Sequence, residues 1–194
     1  QLHVKRDTQA DSVLVNLPGI QAAQLILDLN QSGGKAQVTW HQGGLTLPFG
    51  LEQNQIDLDD ASVQLAWQLT GPDVAVQFNQ GRLANADLAG EFSGSWKTGA
   101  GAQRLPGVLD LTAAISRAKA TRVHRYLPDT LPASVRHYVR DAMLAGEVSQ
   151  GAIRLRGPLN DMPFDNPKLG EFRIAAHVAQ GHYAYVPPEP TKSK

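Results

Sequence analysis

The side chains best suited to chemistry in this 194-residue chain are six histidines and one run of acids, and their spacing argues against most reactions. A zinc site needs ligands at short fixed intervals, such as two histidines one helical turn apart around a glutamate. His3, His41, His124, His137, His177 and His182 are scattered. Only His177 and His182 come close together, in a strand–turn region, and they complete no ligand set. Asp57, Asp59 and Asp60 form the densest carboxylate cluster. It lacks the glycine and the distal glutamate of an EF-hand loop, so it reads as the solvated end of a strand. The chain has no cysteine. That excludes disulfides, thiolate-ligated zinc and thiol catalysis, and it is compatible with an oxidising compartment.

Nucleotide and hydrolase motifs are also missing. There is no GxSxG elbow, no P-loop and no GxGxxG after a strand, and Gly99-Ala100-Gly101 opens no helix. Nothing marks a glycosidase carboxylate pair, and aromatic residues are few. Trp40, Trp67 and Trp96 share the apolar parity of their segments, which makes them core or groove lining rather than a sugar platform. The chain is therefore expected not to be an enzyme and to need no metal or cofactor.

Charge narrows the partners. Eighteen Lys and Arg balance eighteen Asp and Glu, against the strongly basic balance of a dedicated nucleic-acid binder. The charge is segregated, with a net of −5 over residues 1–110 and +5 over residues 111–194. The densest basic stretch is Arg117, Lys119, Arg122, Arg125, Arg136 and Arg140, opposed only by Asp129 and Asp141. It is either a solvated face or a patch for anionic head groups or an acidic partner. No run of eighteen apolar residues exists, and residues 1–20 lack an apolar signal-peptide region. The expectation is one β module over 1–188, internal to a longer protein, with a disordered or trimmed tail over 189–194.

The elements that would position these residues are mostly strands. Ala86, Leu88, Gly90, Phe92, Gly94 and Trp96 fall on one parity, with Asp87, Glu91, Ser93 and Ser95 on the other. The same alternation runs through Val63–Leu69, Val74–Phe78, Leu109–Ile115 and Phe172–Val178. Successive strand side chains point to opposite faces, so one face is apolar and the other polar. Shorter candidates are Val13–Leu17, Gln24–Leu29, Ala36–His41, Leu45–Phe49, Gln55–Leu58, Val148–Leu155 and His182–Val186. Gln31-Ser32-Gly33-Gly34, Gln42-Gly43-Gly44, Gly71-Pro72-Asp73 and Asn79-Gln80-Gly81 read as hairpin connections, giving an antiparallel meander of about a dozen strands. One amphipathic helix is predicted over 132–144, with Val135, Tyr138, Val139, Ala142 and Met143 on one face and Gly146 as its C-terminal stop. A shorter helical turn is predicted over 119–126. One helix of that length, about 20 Å, cannot cover the apolar face of such a sheet. The face must pack on itself, close into a barrel, or stay open as a groove, and a closed core is the default.

One stretch is specific enough to suggest a family. It runs Tyr126-Leu127-Pro128, the helix, Ala145-Gly146-Glu147-Val148, Gly151-Ala152-Ile153-Arg154-Leu155-Arg156-Gly157-Pro158-Leu159, and then Met162-Pro163-Phe164. It continues through Pro167–Phe172 to Tyr183-Ala184-Tyr185-Val186-Pro187. This resembles the YhdP family of AsmA-like proteins from Gram-negative bacteria, over most of residues 40–188. The helix here carries Tyr138-Val139 where the family commonly has Trp or Leu.

The resemblance implies a long antiparallel twisted sheet curled into an open, taco-like groove. It also implies a periplasmic location within a parent protein anchored in the inner membrane. The partner it implies is phospholipid, moved toward the outer membrane, with other envelope proteins as further partners and no role for nucleic acid. The groove lining would then be Val63, Leu65, Trp67, Leu69, Val74, Val76, Phe78, Leu88, Phe92, Trp96, Leu109, Leu111, Ile115, Ile153, Leu155, Phe172 and Ile174, with Gly90 and Gly94 permitting curvature or close approach. The competing expectation is a closed-core structural or protein-interaction module without a ligand.

Overall fold

A computed structural model describes residues 19–47, 51, 53–101, 104–127, 129, 131–162, 164 and 166–185. Eight strands form one antiparallel sheet in simple sequence order: β1 (Gly19–Asn30), β2 (Gly33–Thr46), β3 (Gln55–Thr70), β4 (Asp73–Ala84), β5 (Leu88–Lys97), β6 (Val108–Lys119), β7 (Met143–Pro158) and β8 (Glu171–Tyr183). β1 and β8 are the two edges, and the sheet does not close into a barrel. Between β6 and β7 lie a 3-10 helix (Ala120–Tyr126) and α1 (Ala133–Ala142). A one-turn 3-10 segment (Leu159–Asp161) follows β7. Among the described residues no helix is long and apolar enough to cross a membrane.

The alternating segments are strands, as period two requires, but they are longer and fewer than predicted. Two glycine-containing runs expected to be hairpins lie inside strands. Gln42-Gly43-Gly44 is internal to β2, and Asn79-Gln80-Gly81 is internal to β4. In each, the glutamine takes a left-handed backbone, with φ of 57° at Gln42 and 48° at Gln80. These are bulges, where a strand bends and twists more strongly: at Gln80 β4 carries one residue more than β3 and β5, and at Gln42 β2 carries two more than β1 while staying in register with β3. The true two-residue turns are Gln31-Ser32 and Gly71-Pro72. Ala86 belongs to the turn before β5. The segment Val13–Leu17 and the tail from 186 lie outside the described residues.

The bulges recur across the sheet and reverse side-chain parity in mid-strand. In β4 the apolar face passes from Val74, Val76 and Phe78 to Gly81 and Leu83. In β6 it passes from Leu109, Leu111, Ala113 and Ile115 to Ala118. In β3, Asp59 and Asp60 are both exposed between buried Leu58 and buried Ala61. Each strand thereby bends while keeping the same face turned inward. The driest part of that face is the cluster Val38, Trp40, Leu58, Ala61 and Val63, against which Phe78, Leu83 and Phe92 also pack.

The helices sit beyond the strand ends. α1 starts after Pro132, as expected for a residue that fixes φ and lacks an N–H. It ends at Ala142 without a glycine cap. Gly146, predicted as its stop, lies inside β7, because the chain passes directly from helix to strand at Met143. α1 packs against the 3-10 helix and the first residues of β7, burying Ala142. Tyr138 meets the end of β8 through a hydroxyl–hydroxyl bond of 2.5 Å to Tyr183.

Candidate functional site

Antiparallel pairing places directly opposed residues on the same face, so register can be read as rows. One row crosses all eight strands: Leu27, Ala36, Leu65, Phe78, Gly94, Leu111, Leu155 and Phe172. A second, from β1 to β7, is Leu29, Gly34, Trp67, Val76, Trp96, Leu109 and Gly157. A third joins Leu25, Val38 and Val63 and, across the β3–β4 bulge, Gly81, Phe92, Ala113, Ile153 and Ile174. A fourth is Ala23, Trp40, Ala61, Leu83, Gly90, Ile115, Gly151 and Ala176. Leu69 opposes Val74, and Leu88 opposes Ala118. All seventeen residues predicted to line a groove therefore share one face of one sheet.

That face extends further than predicted. It includes Leu25, Leu27 and Leu29 of β1 and Ala36, Val38 and Trp40 of β2. The signal was present as period two from Ala23 to Leu29, but Ile26 interrupts it with an apolar side chain on the outer face, 72% exposed. The middle of the face is half-exposed, while Trp40 is buried.

Glycines set the depth of the face. A Cβ on Gly34 would stand 2.6 Å from Cζ2 of Trp67, and one on Gly94 would stand 2.9 Å from two ring carbons of Phe78. A Cβ on Gly90 would stand 2.5 Å from the Ala114 carbonyl oxygen and 3.1 Å from Ile115. Rings from one strand thus lie down over glycines of the next, and the apolar floor is flat rather than ridged. The floor is greasy, broad and poor in polar groups, which suits flexible hydrocarbon more than a rigid polar ligand.

The opposite face carries the charge. His41 Nδ1 lies 2.9 Å from Asp60, Arg82 lies 3.3 Å from Glu91, and Arg154 bonds Asp110 across β6 and β7. The Arg154 guanidinium holds the Asp110 carboxyl below its usual range. His177 and His182 are exposed on β8. His3 lies outside the described residues.

One polar cluster was not anticipated. The Asp87 side chain is 9% exposed and bonds Arg125, with Arg122 at 3.9 Å. Asn85 Oδ1 accepts the backbone N–H groups of Asp87 and Leu88, both at 2.9 Å, and its Nδ2 donates to the Tyr126 hydroxyl at 3.0 Å. Burial raises the Tyr126 pKa, keeping it a neutral hydroxyl. Arg117 donates to the Asn85 carbonyl at 2.9 Å. The basic stretch is thus partly structural, since Arg125 fastens the 3-10 helix, and Arg117 the end of β6, to the β4–β5 turn. Asn85-Ala86-Asp87 offered the only local hint, as a side-chain-capped turn.

No curated protein and no solved structure matches this chain. A family model described as YhdP protein matches residues 3–190. With nearly the whole chain inside that match, including the Tyr126–Phe164 stretch that first suggested it, the chain belongs to the YhdP family.

Proposed function

We propose that the apolar face binds phospholipid acyl chains, and that this chain is one segment of a conduit carrying phospholipid between the inner and outer membranes. The observation that carries this reading is the apolar row from Leu27 to Phe172, which runs unbroken across a sheet that does not close on itself. Each methylene withdrawn from water contributes about 0.8 kcal/mol, so such a floor holds an acyl chain without specific polar contacts. Rows of similar side chains offer many near-equivalent positions, which lets a chain slide. On this reading the segment lies in the periplasm as part of a protein anchored in the inner membrane, and no catalytic step is involved.

The dry cluster around Val38 and Trp40 favours a second reading, in which the interior fills itself and the module serves only as structure or as a protein contact. Lipid extraction with native mass spectrometry separates the two. Phospholipid on the purified protein and on Thr112→Asp, but depleted on folded Leu65→Asp and Leu111→Asp, supports the conduit. A folded, lipid-free protein supports the structural module.

A further inference from the structure

The apolar face is not uniformly open. On β1, Leu25, Leu27 and Leu29 are 48–59% exposed, and on β8 Ile174 is 47% exposed. Between them, Val38 and Trp40 of β2 and their β3 partners Val63 and Ala61 are only 2–8% exposed. These four belong to rows that run across the strands. An acyl chain following either row therefore meets a section already filled by side chains. Trp40 is the largest group in that section. Its indole lies against Gly43, where a Cβ would stand 2.8 Å from Cδ1 of the ring.

The Trp40 indole N–H is buried, and among the described residues no acceptor reaches it. Trp96, on the same face, instead donates its N–H to the Pro106 carbonyl at 2.7 Å and is thereby fixed in the wall. A buried donor without an acceptor is destabilising. The packed position of Trp40 is thus penalised relative to one in which its N–H is satisfied. A diacyl phospholipid carries a fitting acceptor, the ester carbonyl at the head of each acyl chain, next to the hydrocarbon itself. A ligand shifts an equilibrium toward the state it binds better. Here the N–H reaches an ester only once the ring has turned out of the cluster.

We infer that Trp40 is a gate in the lipid path. Packed in the cluster it closes the face at β2 and β3, and turned out of it the indole N–H takes the ester carbonyl of a diacyl phospholipid. The inference rests on the lipid-binding reading above and names the residue that controls passage along the face. The first test uses phosphatidylglycerol with dibrominated acyl chains, which quench tryptophan fluorescence on contact. It is added to the whole chain carrying only Trp40 (Trp67→Phe/Trp96→Phe) or only Trp96 (Trp40→Phe/Trp67→Phe). Quenching of Trp40, with or without Trp96, is expected. Quenching of Trp96 but not of Trp40 overturns the gate and leaves the acyl-chain reading intact. Quenching of neither overturns both. Calorimetry then compares diester and diether phosphatidylglycerols of equal chain length on wild type and on Trp40→Phe. Wild type is expected to bind the diether lipid about three- to tenfold more weakly, the scale of one hydrogen bond, and Trp40→Phe to bind the two alike. Equal binding by wild type, or a difference that Trp40→Phe keeps, overturns the inference. If a double variant does not fold, this comparison decides without it.

Discussion

Gly81 of β4 faces Phe92 of β5 so closely that a Cβ on the glycine would stand 2.5–2.7 Å from three carbons of the ring. The ring lies on the glycine because the bulge at Gln80 brings Gly81 onto the apolar face. Gly81→Ala forces the ring up, and overpacking of this kind costs about 1–3 kcal/mol. Gly94→Ala costs more, because its Cβ would also stand 2.0 Å from the Asp110 carbonyl oxygen, part of the backbone. Urea denaturation of both variants measures the order. Equal stability of Gly94→Ala and wild type would contradict the close-packed floor.

The second prediction concerns Asp87. Replacing it with alanine leaves Arg125, about 29% exposed, without its carboxylate. Removing one partner of a buried pair costs about 3–5 kcal/mol, and the larger exposure of Arg125 places the loss toward the lower end. Hydrogen exchange should show Ala120–Tyr126 losing protection before the central strands. Unchanged exchange there would show that the 3-10 helix is held by other contacts.

Stability should also depend on pH through His124. Burial lowers its pKa below the usual 6.5, and the nearby Arg140, Arg122 and Arg125 charges act in the same direction. The unfolded chain therefore binds a proton at His124 more readily than the folded chain does. Stability falls as pH drops below about 6.5, and the loss levels off below the folded pKa. Comparing melting temperatures at neutral and mildly acidic pH for wild type and His124→Gln isolates this contribution, and the variant should lose less on acidification.

The bulge at Gln42 yields the fourth. A non-glycine residue with φ of 57° sits where L-residues are disfavoured by about 1–2 kcal/mol. Gln42→Gly relieves that strain at some entropic cost, for a net gain of about 0.5–1 kcal/mol. Gln42→Val, β-branched, destabilises. Chemical denaturation reads both, and a gain for valine would mean that the bulge had been replaced by regular pairing.

The sequence alone determined which face is apolar within Val63–Leu69, Val74–Phe78, Leu88–Trp96, Leu109–Ile115 and Phe172–Ile174, the hairpins at Gln31-Ser32 and Gly71-Pro72, and the positions of the two helices between β6 and β7. These depend on the local alternation of side chains and on turn chemistry within a few residues. It did not determine that Gln42-Gly43-Gly44 and Asn79-Gln80-Gly81 are bulges. Glycine beside a left-handed residue serves a turn and a bulge equally, and only the opposing strand decides between them. Nor did it bring Asp87 to Arg125, 38 residues away, or leave Gln55–Leu58 paired with β2 but not with β4. Those features arise because β4 stops at Ala84 while β3 extends five residues further, a mismatch of lengths that exists only once the strands have paired.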